Sequence, residues 1–294
     1  MTLHPGFVHH LEERFQSFFQ APLRVTGISS VPGGDINQCY RLETDKGPFF
    51  IKVNASIFGL DFFEKEARGL ILLANTGAIR VPRPLFDGKF HQQVYLVMED
   101  LDKGTPVADF WERFGTSIAA VHTHHAPQFG LEYPNYIGKL HQFNQQHDSW
   151  HDFYCNERIM RLAYKARDRQ MLDSAAIAMA ENICARLKDL IPEEQPSLLH
   201  GDLWSGNYTV TADGAPAVFD PAVYYGHREM DLAMARLFGG FDQRFFAAYD
   251  AAYPLQPGAV ERIPLFQLYP LMVHLLLFGG GYHRQVQEIL GQFA

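Results

Sequence analysis

The segment Ser197 to Pro221, SLLHGDLWSGNYTVTADGAPAVFDP, constrains this chain more than any other. Thr209 to Thr211 and Ala215 to Phe219 read as short strands on either side of Asp213-Gly214, the strongest two-residue hairpin signal. A hairpin centred between those two residues opposes Asn207 to Asp220 at its open end. Pro216 removes a backbone donor, so the strand pair is expected to be short or to lie at an edge. Asp202 precedes Asn207 in a loop too polar to be a buried strand. Each of the three is a common turn or cap residue when taken singly. Together, after His200-Gly201 and before Pro221, they suit chemistry. An Asp beside an Asn offers oxygen ligands to a hard cation, and a further Asp close by is placed to accept a proton or orient a nucleophile.

Composition limits the alternatives. The chain has 294 residues, 47% hydrophobic and 20% charged, which is enough for one large or two modest domains with an ample core. Its formal charge of −8 has the acids spread along the chain, so no basic face is expected for nucleic acid. Cys39, Cys155 and Cys184 are scattered and odd in number, which predicts neither a disulfide framework nor a zinc site and favours a reducing compartment. The amino terminus is amphipathic with interleaved charges rather than a secretory signal. Leu265 to Gly281 is apolar but interrupted by Gln267, Pro270, His274 and three glycines, short of a membrane span. A cytoplasmic protein is expected.

The first hundred or so residues read as strand-rich and the rest as mostly helical, with the boundary placed at 100/101. A helix over Val8 to Phe19 precedes a strand from Leu23 to Ser30. The loop Gly33-Gly34-Asp35-Ile36-Asn37 can bring backbone N–H groups close to anionic oxygens, although two adjacent glycines by themselves are commonly just a turn. Gln38 to Thr44 and Pro48 to Asn54 form a hairpin. Lys52 is the sole charge in its strand, with Ile51 and Val53 on the opposite face. Asp61 is expected to cap a helix running from Phe62 to Asn75, in which Glu66 lies on the apolar stripe of Phe63 and Leu70. A lone acid on a buried face needs a cation, and Lys52 is the candidate. After two more strands, Glu99 to Leu101 presents backbone that can meet an adenine edge. The histidines His122, His124 and His125 lack an acid or cysteine to complete a metal site and read as helix-end residues. Asn135 to Trp150 is rich in amides and aromatics, suiting either a polyhydroxylated ligand or a packed surface loop. Asp231 is expected to brace the loop of Asp202.

The arrangement His200, Asp202, Asn207, a hairpin and then Asp220 is the phosphoryl-transfer pattern of protein-kinase-like enzymes. HGDLWSGN at 200–207 joined to DPAVYYGHREMDLAM at 220–234 is narrower. With Gly33 to Asn37, Phe63 to Leu73, Asn135 to Gly138, Gln142, Asn144, LFGGF at 237–241 and FGGGY at 278–282, it resembles the fructosamine kinase (ketosamine-3-kinase) family across nearly the whole chain. The resemblance implies an α+β, bilobal protein-kinase-like fold, with a nucleotide-binding lobe over 1–100 and a catalytic lobe over 101–294. It implies an ATP- and Mg2+-dependent kinase acting on the 3-hydroxyl of small or protein-linked ketoamines (fructosamines, ribulosamines or erythrulosamines) in deglycation. It further implies a monomer or weak homodimer without membrane or nucleic-acid partners. By positional match Asp202 would be the base, Asn207 and Asp220 the metal ligands, Lys52 and Glu66 the phosphate-binding ion pair, and Gly33 to Asn37 the phosphate cover. Trp204, Asn135, Gln142 and Trp150 would lie near the sugar. Relatives often carry Asn before His in a late L-N-H stretch, where this chain has Val273-His274. The alternatives are a kinase for an aminoglycoside or choline, and a nucleotide-binding pseudokinase.

Overall fold

The computed structural model describes residues 6–32, 37–55 and 59–294. Gly33, Gly34, Asp35 and Ile36, expected to cover phosphates, lie outside the described residues. The chain divides into two compact units, Met1–Val107 with Thr209–Phe219, and Ala108–Tyr208 with Asp220–Ala294. A single cut at 100/101 therefore does not describe the division: the segment after Tyr208 groups with the first unit.

In the first unit, β1 (Val25–Val31), β2 (Gln38–Thr44), β3 (Phe49–Ala55), β4 (Pro84–Phe90) and β5 (Gln93–Glu99) form an antiparallel sheet in the order β1-β2-β3-β5-β4. β3 is central, so Lys52 is not an edge lysine placed to deter strand addition. The two-residue period of the strand sends Ile51 and Val53 into the core built on Phe7, Leu11 and Phe15 of α1 (Phe7–Phe19). Lys52 goes to the other face with its cross-strand partner Leu96. α2 (Asp61–Ala74) buries Phe62, Phe63, Leu70 and Leu73. Asp61 is the first helical residue rather than the cap, and its carboxylate pairs with Lys65 one turn on at 3.2 Å.

The second unit is mostly helical: α3 (Phe110–His122), the short hairpin β6 (Asn135–Ile137) and β7 (Leu140–Gln142), and α4 (Trp150–Phe153) running into a π-helix over Tyr154–Met160. Then come α5 (Arg161–Asp168), α6 (Ser174–Leu190) and β8 (Ser197–Leu199). β9 (Tyr208–Val210) and β10 (Pro216–Val218) follow as the hairpin between the two stretches of this unit. β11 (Tyr224–Gly226), α7 (Glu229–Leu237), α8 (Gln243–Ala252), α9 (Ala259–Phe278) and α10 (His283–Phe293) complete it. α9 starts at Ala259 and carries Pro264 and Pro270 within it. Together with the sheet of the first unit this is the expected α+β class. No helix of the described residues is long and apolar enough to cross a membrane.

Two expectations fail here. Cys155, in the π-helix, is disulfide-bonded to Cys184 of α6 with Cα atoms 5.3 Å apart, and Cys39 takes no part in that bond. Twenty-nine residues separate the pair, and no short motif announces a contact made by helix packing. Cysteine usage therefore no longer supports a reducing compartment. The hairpin also turns differently. Thr211 N–H donates to Ala215 O at 2.9 Å and Gly214 N–H to Thr211 O at 2.8 Å, with Gly214 at φ 82°. That is a three-residue turn ending in a left-handed glycine, not a two-residue turn on Asp213-Gly214.

His227 provides a pH test of the second core. It is fully buried, with Phe266 at 4.9 Å and Trp150 at 5.8 Å between ring centroids. Burial depresses its pKa from 6.5 to about 4, against the opposing pull of Glu194. The unfolded chain takes up a proton below 6.5 that the folded chain refuses, so stability is lost as pH falls through that window. The loss is at most about 3 kcal/mol by pH 4. Thermal melts of His227→Gln are expected to show a shallower acid limb between pH 6.5 and 4.5 than the parent protein, whatever their absolute offset.

Candidate active site

β8 pairs antiparallel with β11, Leu199 opposite Tyr224, and releases the chain into the loop His200 to Asn207. Asp231, in the first turn of α7, receives the backbone N–H of His200 at 2.7 Å and of Gly201 at 2.9 Å. Burial alone would raise its pKa. The hydrogen bond and charge of His122, the charge of His200 and the Gly201 N–H outweigh that and hold it below the usual carboxylate value. His122 Nε2 lies 3.2 Å from Asp231 and its Nδ1 lies 2.7 Å from Tyr249 OH. Asp231 is thus the brace the sequence suggests. His122, read there as a helix-end residue, is the brace's own support; only its place at the end of an apolar helix hinted at burial.

The braced loop brings Asp202, Asn207 and Asp220 together. Asn207 Nδ2 donates to Asp202 Oδ2 at 3.0 Å and to Asp202 O at 2.8 Å, and lies 3.5 Å from Asp220 O. Asp220 holds φ 56°, a left-handed conformation uncommon for a residue with a side chain. Asp202 has its pKa raised to about 7, chiefly by desolvation; the Asn207 hydrogen bond opposes this, and the charges of Asp220 and Asp231 add to it. Two carboxylates that repel one another beside an amide oxygen form a donor set for a hard divalent cation. With Nδ2 committed to Asp202, Asn207 has its Oδ1 available as a ligand. Among the described residues no group of three or more His, Cys, Asp and Glu could hold a metal.

In the first unit, Lys52 Nζ donates to Glu66 Oε1 at 2.6 Å, with the lysine 4% exposed. A buried ammonium held this way is a fixed cation rather than a solvated one. Asn37, which closes the glycine loop, accepts from Asn54 Nδ2 of β3 at 2.6 Å. Glu99 pairs with Arg80 and accepts the Arg83 N–H at 3.3 Å, and Leu101 is half-buried just beyond β5.

The residues expected near a sugar separate into two groups. Asn135, Gln142 and Trp150 are 3%, 2% and 0% exposed. Trp150 stacks on Tyr154 at 5.0 Å, and the two amides bond to the chain itself. Contact with a ligand is corrected to a place in the core, because a loop's amides and aromatics have the same composition whether they face in or out. Trp204 remains half-exposed, edge-on to Phe238 at 6.1 Å. His274 lies 4.7 Å from Phe238, and Tyr282 lies 5.1 Å from His274. This aromatic row beside the loop comes from three separate segments and has no local motif.

The family model described as fructosamine kinase matches residues 8–294. The chain belongs to the fructosamine kinase family. A probable ketoamine kinase of Synechocystis sp. is 40% identical over 275 residues, 92% of this chain and 91% of that protein. A chloroplastic protein-ribulosamine 3-kinase of Arabidopsis thaliana is 37% identical, covering 92% and 83%. The crystal structure of a "putative fructosamine-3-kinase" from Haemophilus somnus superposes with a TM-score of 0.87 at 27% identity over 96% of each chain. The family's kinase-like fold accounts for the order of parts: a sheet with a lysine–helix-glutamate pair, then the Asp202 loop, a hairpin and Asp220.

Proposed function

We propose that this fructosamine kinase family member transfers the γ-phosphoryl group of ATP to the 3-hydroxyl of a ketoamine. The observation that carries the reading is the meeting of Asp220 with Asp202 and Asn207, which sit on a loop whose backbone is clamped by Asp231. Asp202 orients the acceptor hydroxyl and takes its proton as the oxygen bonds to phosphorus and the bond to the ADP oxygen breaks. Asn207 Oδ1 and the Asp220 carboxylate would hold Mg2+. When bound, Mg2+ offsets the charge of the phosphate oxygens. Lys52, fixed by Glu66, binds nucleotide phosphates, a role the sequence of Gly33 to Asn37 is read as sharing, and the backbone of Glu99 to Leu101 meets the adenine.

Trp204, Phe238 and His274 wall the acceptor. Burial lowers the His274 pKa, and its Nδ1 lies 2.8 Å from the Pro270 carbonyl oxygen, which can only accept. A neutral ring donating through Nδ1 keeps the wall free of positive charge, compatible with the ammonium of a ketoamine. Phosphorylated ketoamines then fall apart to release the amine, so the activity is deglycation, on free or protein-linked adducts. The requirement for ATP supports a cytoplasmic location.

The test is ADP release with ribuloselysine, erythruloselysine, fructoselysine, an aminoglycoside and choline. Turnover is expected with at least one ketoamine and with neither of the last two. Preference for the aminoglycoside or choline, or Mg2+-dependent ATP binding without any acceptor-stimulated ADP release, overturns the reading.

A further inference from the structure

Asn135 and Gln142 face each other across the β6–β7 hairpin, and neither is spent on the solvent. Gln142 Nε2 donates to Ala222 O at 2.9 Å, and Asn135 Nδ2 to Val223 O at 2.8 Å. Those carbonyls follow directly on Asp220-Pro221. Ala222 also donates its N–H to His200 O at 2.9 Å, so this residue is tied to the Asp202 loop on one side and to Gln142 on the other.

The direction of both amides is dictated from behind. Arg158, fully buried, has only donors, and its Nη2 donates to Asn144 Oδ1 at 2.7 Å. Asn144 must then present Nδ2, which donates to Asn135 Oδ1 at 2.9 Å; Asn135 in turn is left with Nδ2 for Val223. The guanidinium lies over Tyr224 at 4.1 Å, Phe153 at 4.5 Å and Tyr269 at 5.1 Å, and makes no ion pair among the described residues. In the second chain Tyr269 OH donates to Gln142 Oε1 at 2.7 Å, which fixes Gln142 Nε2 on Ala222. A flipped amide in either chain would set oxygen against oxygen in a buried site.

We infer that Asn135 and Gln142, aligned by Arg158 through Asn144 and by Tyr269, are positioning residues that hold the 222–223 carbonyls and thereby keep Asp220 left-handed and in register with Asp202 and Asn207 for the cation. The inference rests on the metal role of Asp220 and Asn207 proposed above. It replaces ligand contact by a pull on the backbone one step behind the metal ligand. Partners of this kind affect metal affinity or turnover by about 10- to 100-fold.

The variants are Gln142→Met, which keeps the length but cannot donate, and Tyr269→Phe, which loses one hydroxyl and tests the same chain where Gln142→Met fails to fold. Mn2+ binding to the protein–ATP complex is read by electron paramagnetic resonance without acceptor, alongside kcat, the KM for the preferred ketoamine and thermal melting. Gln142→Met is expected to weaken Mn2+ binding and lower kcat by about 10-fold or more, with the ketoamine KM within about twofold of the parent value. Tyr269→Phe shifts both in the same direction by about threefold. A raised ketoamine KM with unchanged Mn2+ binding would mean that Gln142 touches substrate, and a lowered melting point alone would mean simple packing; either result overturns the inference. Failure of the parent protein to bind Mn2+ with ATP instead removes the metal reading itself, and the inference with it.

Discussion

Replacing Asp202 by asparagine is expected to lower kcat by about 10²- to 10⁴-fold, the usual range for losing a positioned proton acceptor, while making the protein more heat-stable above pH 7. The two effects share one cause. Desolvation and the neighbouring charges of Asp220 and Asp231 raise the Asp202 pKa from 3.8 to about 7. The folded chain therefore holds that proton more tightly than the unfolded chain does. Its stabilising contribution is full below pH 3.8 and is lost as pH rises through about 7. Asparagine has the same shape, still accepts from Asn207 Nδ2 and has no charge to desolvate. Melts in EDTA without nucleotide should show the variant ahead at pH 8 and the gap closing by pH 4; ADP release with a ketoamine should be nearly gone at both. A divalent cation pulls the Asp202 pKa down, so added Mg2+ and ATP should narrow the stability gap at pH 8. A variant as active as the parent protein would remove Asp202 from the reaction. An inactive variant less stable at pH 8 would mean that the carboxylate is structural.

The parts of this site that the sequence makes legible are those with a local cause. Glu66 interrupts an apolar helical stripe and needs a buried cation; Lys52 interrupts an apolar strand, and the two meet at 2.6 Å. Asp202 and Asn207 share one turn, in which Trp204 N–H bonds to Asp202 O and Asn207 N–H to Trp204 O, so their spacing alone carries the geometry. The hairpin was recognisable from Asp213-Gly214, but not whether Gly214 ends a two- or a three-residue turn, which shifts the pairing by one. Asn207 and Asp220 converge all the same, through the Asp202 loop and the clamped 222–223 peptides. Burial was the quantity the sequence withheld. Trp150, Asn135 and Gln142 sit in a stretch whose composition fits a ligand wall as well as a core, and it is α9, distant in the chain, and the π-helix continuing α4 that supply Tyr269 and Arg158 to close over them. The Cys155–Cys184 bond was hidden for the same reason.

Gly201→Ala should be the most damaging single-methyl change in the loop, costing at least about 3 kcal/mol and about 100-fold or more in turnover of whatever folds. Gly201 has φ 81°, and a Cβ there would overlap the carbonyl oxygen of Ala222 and crowd its carbon. The obstacle is backbone, so no rotamer change relieves it. Nor can Ala222 simply retreat: its carbonyl oxygen accepts from Gln142 Nε2 and its N–H donates to His200 O. Moving Ala222 would break one or both bonds and drag Asp220 with it, which is why activity should fall further than stability. Gly77→Ala is the control. Gly77 follows α2 at φ 63° with nothing within 4 Å of an added Cβ, so it isolates the backbone penalty of about 1 kcal/mol. Melting points and ADP release of the two variants separate strain from overlap. If Gly201→Ala costs no more than Gly77→Ala and keeps its turnover, the 201–222 contact does not set the spacing of Asp202 and Asp220. A loss confined to kcat and Mn2+ affinity at a modest cost in stability would place the whole effect in that spacing.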